Sequence, residues 1–78
     1  MDGLTPRDKQ ILAKVVVGKT NPEIAEQLGI TEGTVKGHVS RIFIKLEVRN
    51  RVEAAMKGLL GAIPEEETIK EIVRNRRW

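Results

Sequence analysis

The sequence predicts an all-α fold, a small four-helix domain built on a helix-turn-helix, with a fifth helical pattern at the C-terminus. Three observations lead there. Thr20 to Leu46 holds two amphipathic helical patterns separated only by Leu28-Gly29-Ile30. Residues suited to helix capping, Thr5, Thr20, Thr31 and Asn50, stand just before the helical stretches. Aromatic residues make up only 3% of the chain, which fits a compact helical bundle.

The first helix is signalled by Leu4-Thr5-Pro6-Arg7-Asp8. Thr5 caps, Pro6 takes the first helical position, and Asp8 supplies the negative charge that the helix dipole favours. The pattern runs from about Pro6 to Val17 and closes at Gly18, with Ile11, Leu12, Val15 and Val16 as its apolar set. Lys9, Lys14 and Lys19 are expected on or near the solvent side. A hydrophobic staple would need an apolar residue at Lys9, so that device is absent.

Thr20-Asn21-Pro22-Glu23 fits a capping box, with Pro22 in the first turn, where no N–H is required. Ile24, Ala25 and Leu28 share one face of this second helix, and Gly29 stands where a left-handed cap would end it after about two turns. The third helix restarts at once, with Thr31 as N-cap and Ile30 before it. So abrupt a restart forces a large crossing angle, and Ala25 supplies the small residue needed where the helices meet.

On a helical wheel Val35, Val39, Ile42, Phe43 and Leu46 form one apolar face of the third helix, which belongs to the core. The opposite face carries Gly33, Gly37, Ser40, Arg41 and Ile44, flanked by Lys36 on one side and by Thr34, His38 and Lys45 on the other. A glycine inside a helix costs roughly 1 kcal/mol relative to alanine. Close approach to a flat or grooved partner would account for both glycines. Alternatively Gly33 lies in the first turn, where the cost is small, and only Gly37 needs a reason.

Glu47-Val48-Arg49 forms a short link, after which Asn50 caps a fourth helix from about Arg51 to Leu60. This helix presents Val52, Ala55, Met56 and Leu59, while Ala54 and Gly58 are expected to make a second, outward surface of small residues. Such a surface permits close helix packing and suits a dimer seam. Gly61-Ala62-Ile63-Pro64 breaks the helix, and Glu65 to Arg76 gives the fifth pattern, acidic in its first turn and basic in its last. Its apolar stripe, Ile69, Ile72 and Val73, is narrow enough that the helix needs docking to be stable. Trp78 ends the chain. The expected division is residues 1–61 as the helix-turn-helix domain and 62–78 as a helical extension without an assigned role.

At 78 residues the chain has room for a single modest core. The net charge of +3 is mild, so its location matters more than its size. Between Thr31 and Arg51, Lys36, Arg41, Lys45, Arg49 and Arg51 outnumber Glu32 and Glu47, whereas Glu65 to Glu71 is acidic. Positive charge gathered around the protruding helix is what phosphate neutralisation on double-stranded DNA requires. The absence of cysteine rules out disulfides and thiolate metal sites and is compatible with a reducing compartment. Met1-Asp2-Gly3 does not open a signal peptide, and no segment has the length of a membrane span. These features lead to the expectation of a cytoplasmic protein without membrane contact, cofactor or bound metal.

Catalysis has little support. His38 flanks an apolar face and is read as a partly buried structural residue, with neither cysteine nor a second histidine to complete a zinc site. Ser40 lacks partners for a nucleophilic triad, since His38 is two residues away and points elsewhere. Glu65, Glu66 and Glu67 are explained as a solvated first turn matched to the helix dipole. The chain is therefore expected not to be an enzyme.

Leu4-Thr5-Pro6-Arg7, Gly18 through Leu28, Gly29-Ile30-Thr31-Glu32-Gly33-Thr34-Val35-Lys36, His38-Val39 and Lys45-Leu46 together resemble the DNA-binding domain of LuxR-type (LuxR/FixJ-like) transcription regulators. The likeness covers about Leu4 to Leu60. It implies a four-helix domain whose third helix, about Glu32 to Leu46, enters the major groove and whose fourth helix forms the dimer contact on DNA through Val52, Ala55, Met56 and Leu59. It further implies a sequence-specific transcription regulator, often the output domain of a two-component response regulator. Carried over by position, base reading falls on Lys36, Gly37 and Ser40, with Arg41 on the same face, and Lys36 suits guanine O6 or N7. Phosphate contacts fall on Asn21, Thr31, Thr34 and Lys45. Gly37 and Ser40 depart from members that carry a larger and a basic residue there, which thins the base readout, and Ile44 stands where a polar or basic residue is usual, facing a sugar, a thymine methyl or another protein surface.

Two other readings stay open at the level of sequence. A sigma-factor-like promoter reader would act with RNA polymerase rather than as a homodimer. A helical protein-interaction module would use the Gly33/Gly37 face and Ile44 against a partner helix.

Overall fold

The computed structural model of the chain describes residues 3–62 and 73–74, and no strand occurs among them. The helices are α1 (Pro6–Val16), α2 (Asn21–Leu28), α3 (Glu32–Leu46) and α4 (Arg51–Lys57), the last running into a wide π-type turn over Gly58–Ala62. This is the small all-helical, helix-turn-helix architecture that the sequence predicts. The fourth helix ends earlier than Leu60, because the chain widens at Gly58 and then takes a left-handed φ of 125° at Gly61. The expected fifth helix and Trp78 lie outside the described residues, apart from Val73 and Arg74, which are helical.

Local chemistry sets the helix boundaries. The Thr5 hydroxyl accepts from the Asp8 N–H at 3.0 Å while Asp8 Oδ2 accepts from the Thr5 N–H at 3.0 Å. Thr20 and Glu23 repeat this reciprocal box at the start of α2. Thr31 caps α3 by accepting from the Thr34 N–H at 3.1 Å, and Asn50 caps α4 by accepting from the Glu53 N–H at 2.9 Å. At the other ends, the Ile30 N–H reaches back to the Ala25 carbonyl and the Val48 N–H to the Phe43 carbonyl. Each closure turns through a left-handed residue, Gly29 at φ 66° after α2 and Glu47 at φ 56° after α3. Gly29 adopts that conformation without steric cost, whereas Glu47 does so against its own Cβ.

α1 is the central element, packed against α3 on one side and α4 on the other, while α2 rests on α3. Ile11, Leu12, Ile24, Ile42 and Leu46 are almost wholly removed from water. Such burial contributes about 1.5–3 kcal/mol for each side chain. Val35, Val39, Ile42 and Leu46 form the buried face of α3, and Phe43 packs at its edge. Ala25 is buried where α2 meets α3. Arg51 ties α4 to the helix-turn-helix, donating to Asn21 Oδ1 at 2.8 Å and to the Lys19 carbonyl at 2.6 Å. Lys57 donates to the Leu46 carbonyl at 2.8 Å, supplying a donor to the C-terminal turn of α3.

Two sequence expectations are corrected. Lys14 is buried rather than solvent-facing, on a helix against which both α3 and α4 pack. Ala54 and Gly58 face inward rather than outward. A Cβ built at Gly58 would stand 2.7 Å from Val16 Cγ2 and 3.1 Å from Leu12 Cγ. The small residues on α4 thus serve its approach to α1 and leave the larger apolar side chains outside.

Candidate nucleic-acid interface

The buried face of α3 fixes which residues face outward. Lys36, Gly37, Ser40, Arg41 and Ile44 are all exposed. Gly33 and Gly37 have different surroundings: a Cβ at Gly33 would meet only Thr31 Oγ1, at 3.9 Å, and one at Gly37 would meet nothing within 4 Å. The chain's own packing therefore imposes neither glycine. Gly37, well inside the helix, sacrifices about 1 kcal/mol of helix propensity with no internal return.

A second feature lies beneath the edge of this face. Asp8, in the first turn of α1, is fully buried, and three basic residues of α3 converge on it. His38 Nδ1 lies 2.8 Å from Asp8 Oδ1, Lys45 Nζ lies 3.1 Å from Asp8 Oδ2, and Arg41 Nη2 lies 3.6 Å from Asp8 Oδ1. Lys45 also donates to the Gly3 carbonyl. Burial by itself pushes the Asp8 carboxyl up. Hydrogen bonds from His38, Thr5 and Lys45 overcome that effect and hold it well below the usual carboxylate range.

The ionised carboxylate fixes the imidazole tautomer. A ring nitrogen has one in-plane position, filled either by a proton or by a lone pair, and an ionised carboxylate only accepts. His38 Nδ1–H therefore donates to Asp8. Arg41 Nη2 also lies 2.8 Å from that nitrogen, but this contact cannot be a second hydrogen bond to it. Arg41 is held electrostatically by Asp8, and its side chain remains 49% exposed, leaving outer N–H donors open to solvent. Lys45 is drawn further in, at 26%.

The residues expected to meet phosphate are distributed over both helices of the motif. Thr31 and Thr34 hydroxyls lie 2.9 Å apart at the start of α3. Since one of them donates to the other, a single hydroxyl proton is left for an outside acceptor. Asn21 Oδ1 accepts from Arg51, which turns the amide NH2 away from Arg51. Lys45 stands at the far end of α3, on Asp8. The expected dimer residues collect elsewhere: Val52, Met56 and Leu59 are 69%, 58% and 61% exposed, and with the half-buried Ala55 they line a shallow apolar groove against Val15, Val16 and Gly18.

The convergence on Asp8 joins two stretches far apart in sequence. His38, Arg41 and Lys45 recur at i, i+3 and i+7, and the Thr5-Asp8 spacing marks a capping box, so both halves of the interaction carry a local signal. Their pairing depends on how α1 crosses α3. Among the described residues no group of three or more histidine, cysteine or acidic side chains could hold a metal, and no helix is long and apolar enough to cross a membrane.

A short helix, a glycine-closed turn and a second helix with one face buried and the other open define a helix-turn-helix domain. The chain belongs to the family described as bacterial regulatory proteins, luxR family, whose profile matches residues 2–57. It is accordingly a domain of the DNA-binding, transcription-regulating class. Among its relatives, the transcriptional regulatory protein LnrK of Bacillus subtilis is 57% identical over 53 residues, covering 68% of this chain and 24% of LnrK. The transcriptional regulatory protein DesR of the same organism is 51% identical over 55 residues, 70% of this chain and 28% of DesR. The nitrate/nitrite response regulator protein NarL of Escherichia coli is 47% identical over 53 residues, 68% of this chain and 24% of NarL. The chain thus spans about a quarter of the length of these relatives.

Asp8→Asn tests the buried cluster. At neutral pH the substitution is expected to destabilise the domain by about 2–3 kcal/mol in urea denaturation, because Arg41 and Lys45 lose their counter-charge. The folded-state carboxyl ionises at lower pH than the unfolded one, near 4. Its contribution is therefore complete above that value and is lost as pH falls towards the folded one. The stability gap between wild type and Asp8→Asn should narrow between pH 5 and pH 2, and a constant gap would contradict the assignment.

Proposed function

We propose that this chain reads double-stranded DNA in a sequence-specific manner by laying α3 in the major groove. Lys36, Gly37, Ser40 and Arg41 face the bases, while Asn21, Thr31, Thr34 and Lys45 take phosphates. The observation that carries this reading is Gly37. An exposed glycine inside a helix, with open space where its Cβ would stand and an exposed lysine beside it, is accounted for by a partner that comes close to the backbone.

The hydrogen bonds already described suit these roles. Arg51 occupies the acceptor side of the Asn21 amide and leaves the donating NH2 for a phosphate oxygen. The Thr31–Thr34 pair keeps one free hydroxyl proton at the positive end of α3. Lys45 would have to exchange part of its contact with Asp8 for a phosphate. Arg41 keeps outward donors with no exchange needed.

In this reading residues 1–61 form the DNA-binding unit and 62–78 an extension beyond it. Two copies associate through Val52, Ala55, Met56 and Leu59 of α4 and bind half-sites related by a two-fold axis. In the same reading the chain is the output domain of a response regulator, acting in the cytoplasm and addressing RNA polymerase from its operator, and the support for this is that relatives about four times longer include a named response regulator.

Lys36→Ala should lower affinity for a sequence selected from a random duplex pool by about tenfold and relax the preference at one guanine. Fluorescence anisotropy on duplexes permuted at each position measures both, and unchanged affinity with unchanged base preference would remove Lys36 from the interface. For the dimer contact, Val52→Glu is expected to weaken cooperative binding to a paired site by about tenfold or more while half-site binding persists. Equal loss on both duplexes would argue against α4.

A further inference from the structure

Ile44 is the most exposed apolar side chain on α3, at 77%, and neither the core nor the α1–α4 groove includes it. Its backbone is fixed, since its carbonyl accepts from the Glu47 N–H at the close of the helix. A β-branched side chain in a helix is largely confined to one rotamer, so Ile44 presents a stiff branched hydrocarbon to solvent. It continues the outward face in register: Gly37, Ser40, Arg41 and Ile44 fall at i, i+3, i+4 and i+7.

Resting on the DNA-reading function just proposed, we infer that Ile44 reads the 5-methyl group of a thymine in the major groove. Of the base edges displayed there, only thymine offers a hydrocarbon. A phosphate or a guanine edge gives isoleucine nothing to bond. The neighbouring residues make the contact geometrically reasonable. Gly37 and Ser40 have almost no side-chain reach, so α3 can approach the base edges more closely than a helix carrying long residues there. At that depth a four-carbon side chain is long enough. Arg41, held by Asp8, stands one turn before Ile44 and keeps donors outward for a neighbouring base or phosphate.

The spacing sets where the thymine lies. Eight residues separate Lys36 from Ile44, roughly 12 Å along the helix. A helix lying in the groove is inclined to the DNA axis, and with 3.4 Å of axial rise for each base step this span covers at most about three or four base pairs between the position read by Lys36 and the thymine read by Ile44.

Deoxyuridine lacks the 5-methyl and otherwise pairs as thymine does, so it isolates this contact. A site is first selected from a random duplex pool with the full chain. Each thymine of a half-site is then replaced singly by deoxyuridine, and affinities of wild type and Ile44→Ala are compared by fluorescence anisotropy. Removing one buried methyl is worth about fourfold. Wild type should lose about that factor at one thymine, no more than about four base pairs from the guanine whose preference Lys36→Ala relaxes, and Ile44→Ala should lose less than half as much there. Helical circular dichroism checks that Ile44→Ala, an exposed substitution, leaves the fold intact. If no thymine is sensitive in wild type, or if both proteins lose equally, Ile44 does not read thymine although DNA binding stands. Should no duplex be enriched and none bind with salt-sensitive affinity, the DNA-reading function falls as well.

Discussion

The arrangement depends on one buried carboxylate. Asp8 closes the capping box that starts α1 and also gathers His38, Arg41 and Lys45 from one edge of α3. A lone ionised carboxylate with no exposure would be prohibitively costly, and the hydrogen bonds and opposite charges around it are what permit it. In return it ties one edge of α3 to α1. Apolar packing through Val35, Val39, Ile42 and Leu46 fixes which face of α3 is buried, and the carboxylate with its directed partners holds the same rotation from the edge. The outward direction of Gly37, Ser40 and Ile44 follows.

That constraint divides the positive charge of α3 into two populations. Lys36 has no partner among the interactions of the described residues and stays wholly outward, while Lys45 serves the interior. Arg41 lies between, paired at a distance of 3.6 Å and half exposed. The basic character of the helix in sequence therefore overstates the charge it offers to a polyanion. What remains is a narrow surface, poor in long side chains, on which close backbone approach and a few well-placed contacts must carry recognition.

Much of this was legible in the sequence because the determinants are local. Thr5, Thr20, Thr31 and Asn50 mark helix starts through bonds made within three residues, and Gly29 marks a stop through its own backbone. The core face of α3 was readable for the same reason, since periodicity alone assigns Val35, Val39, Ile42 and Leu46 to one side. Properties that depend on which helix crosses which were not readable. Lys14 sits on a helix enclosed from two sides, and Ala54 and Gly58 turn inward because α4 approaches α1 closely. The Asp8 cluster joins residues 30 and 37 apart, a pairing that no window of helical length contains.

Nuclear magnetic resonance tests the central claim most directly, with amide resonances of the chain followed as a selected duplex is added at low salt. Perturbations should concentrate at Gly33 to Ile44 and at Asn21, with the buried face of α3 and the centre of α1 little affected. Their absence, or a pattern centred on another surface with Lys36, Gly37 and Ser40 unmoved, would contradict the assignment of α3 as the reading helix.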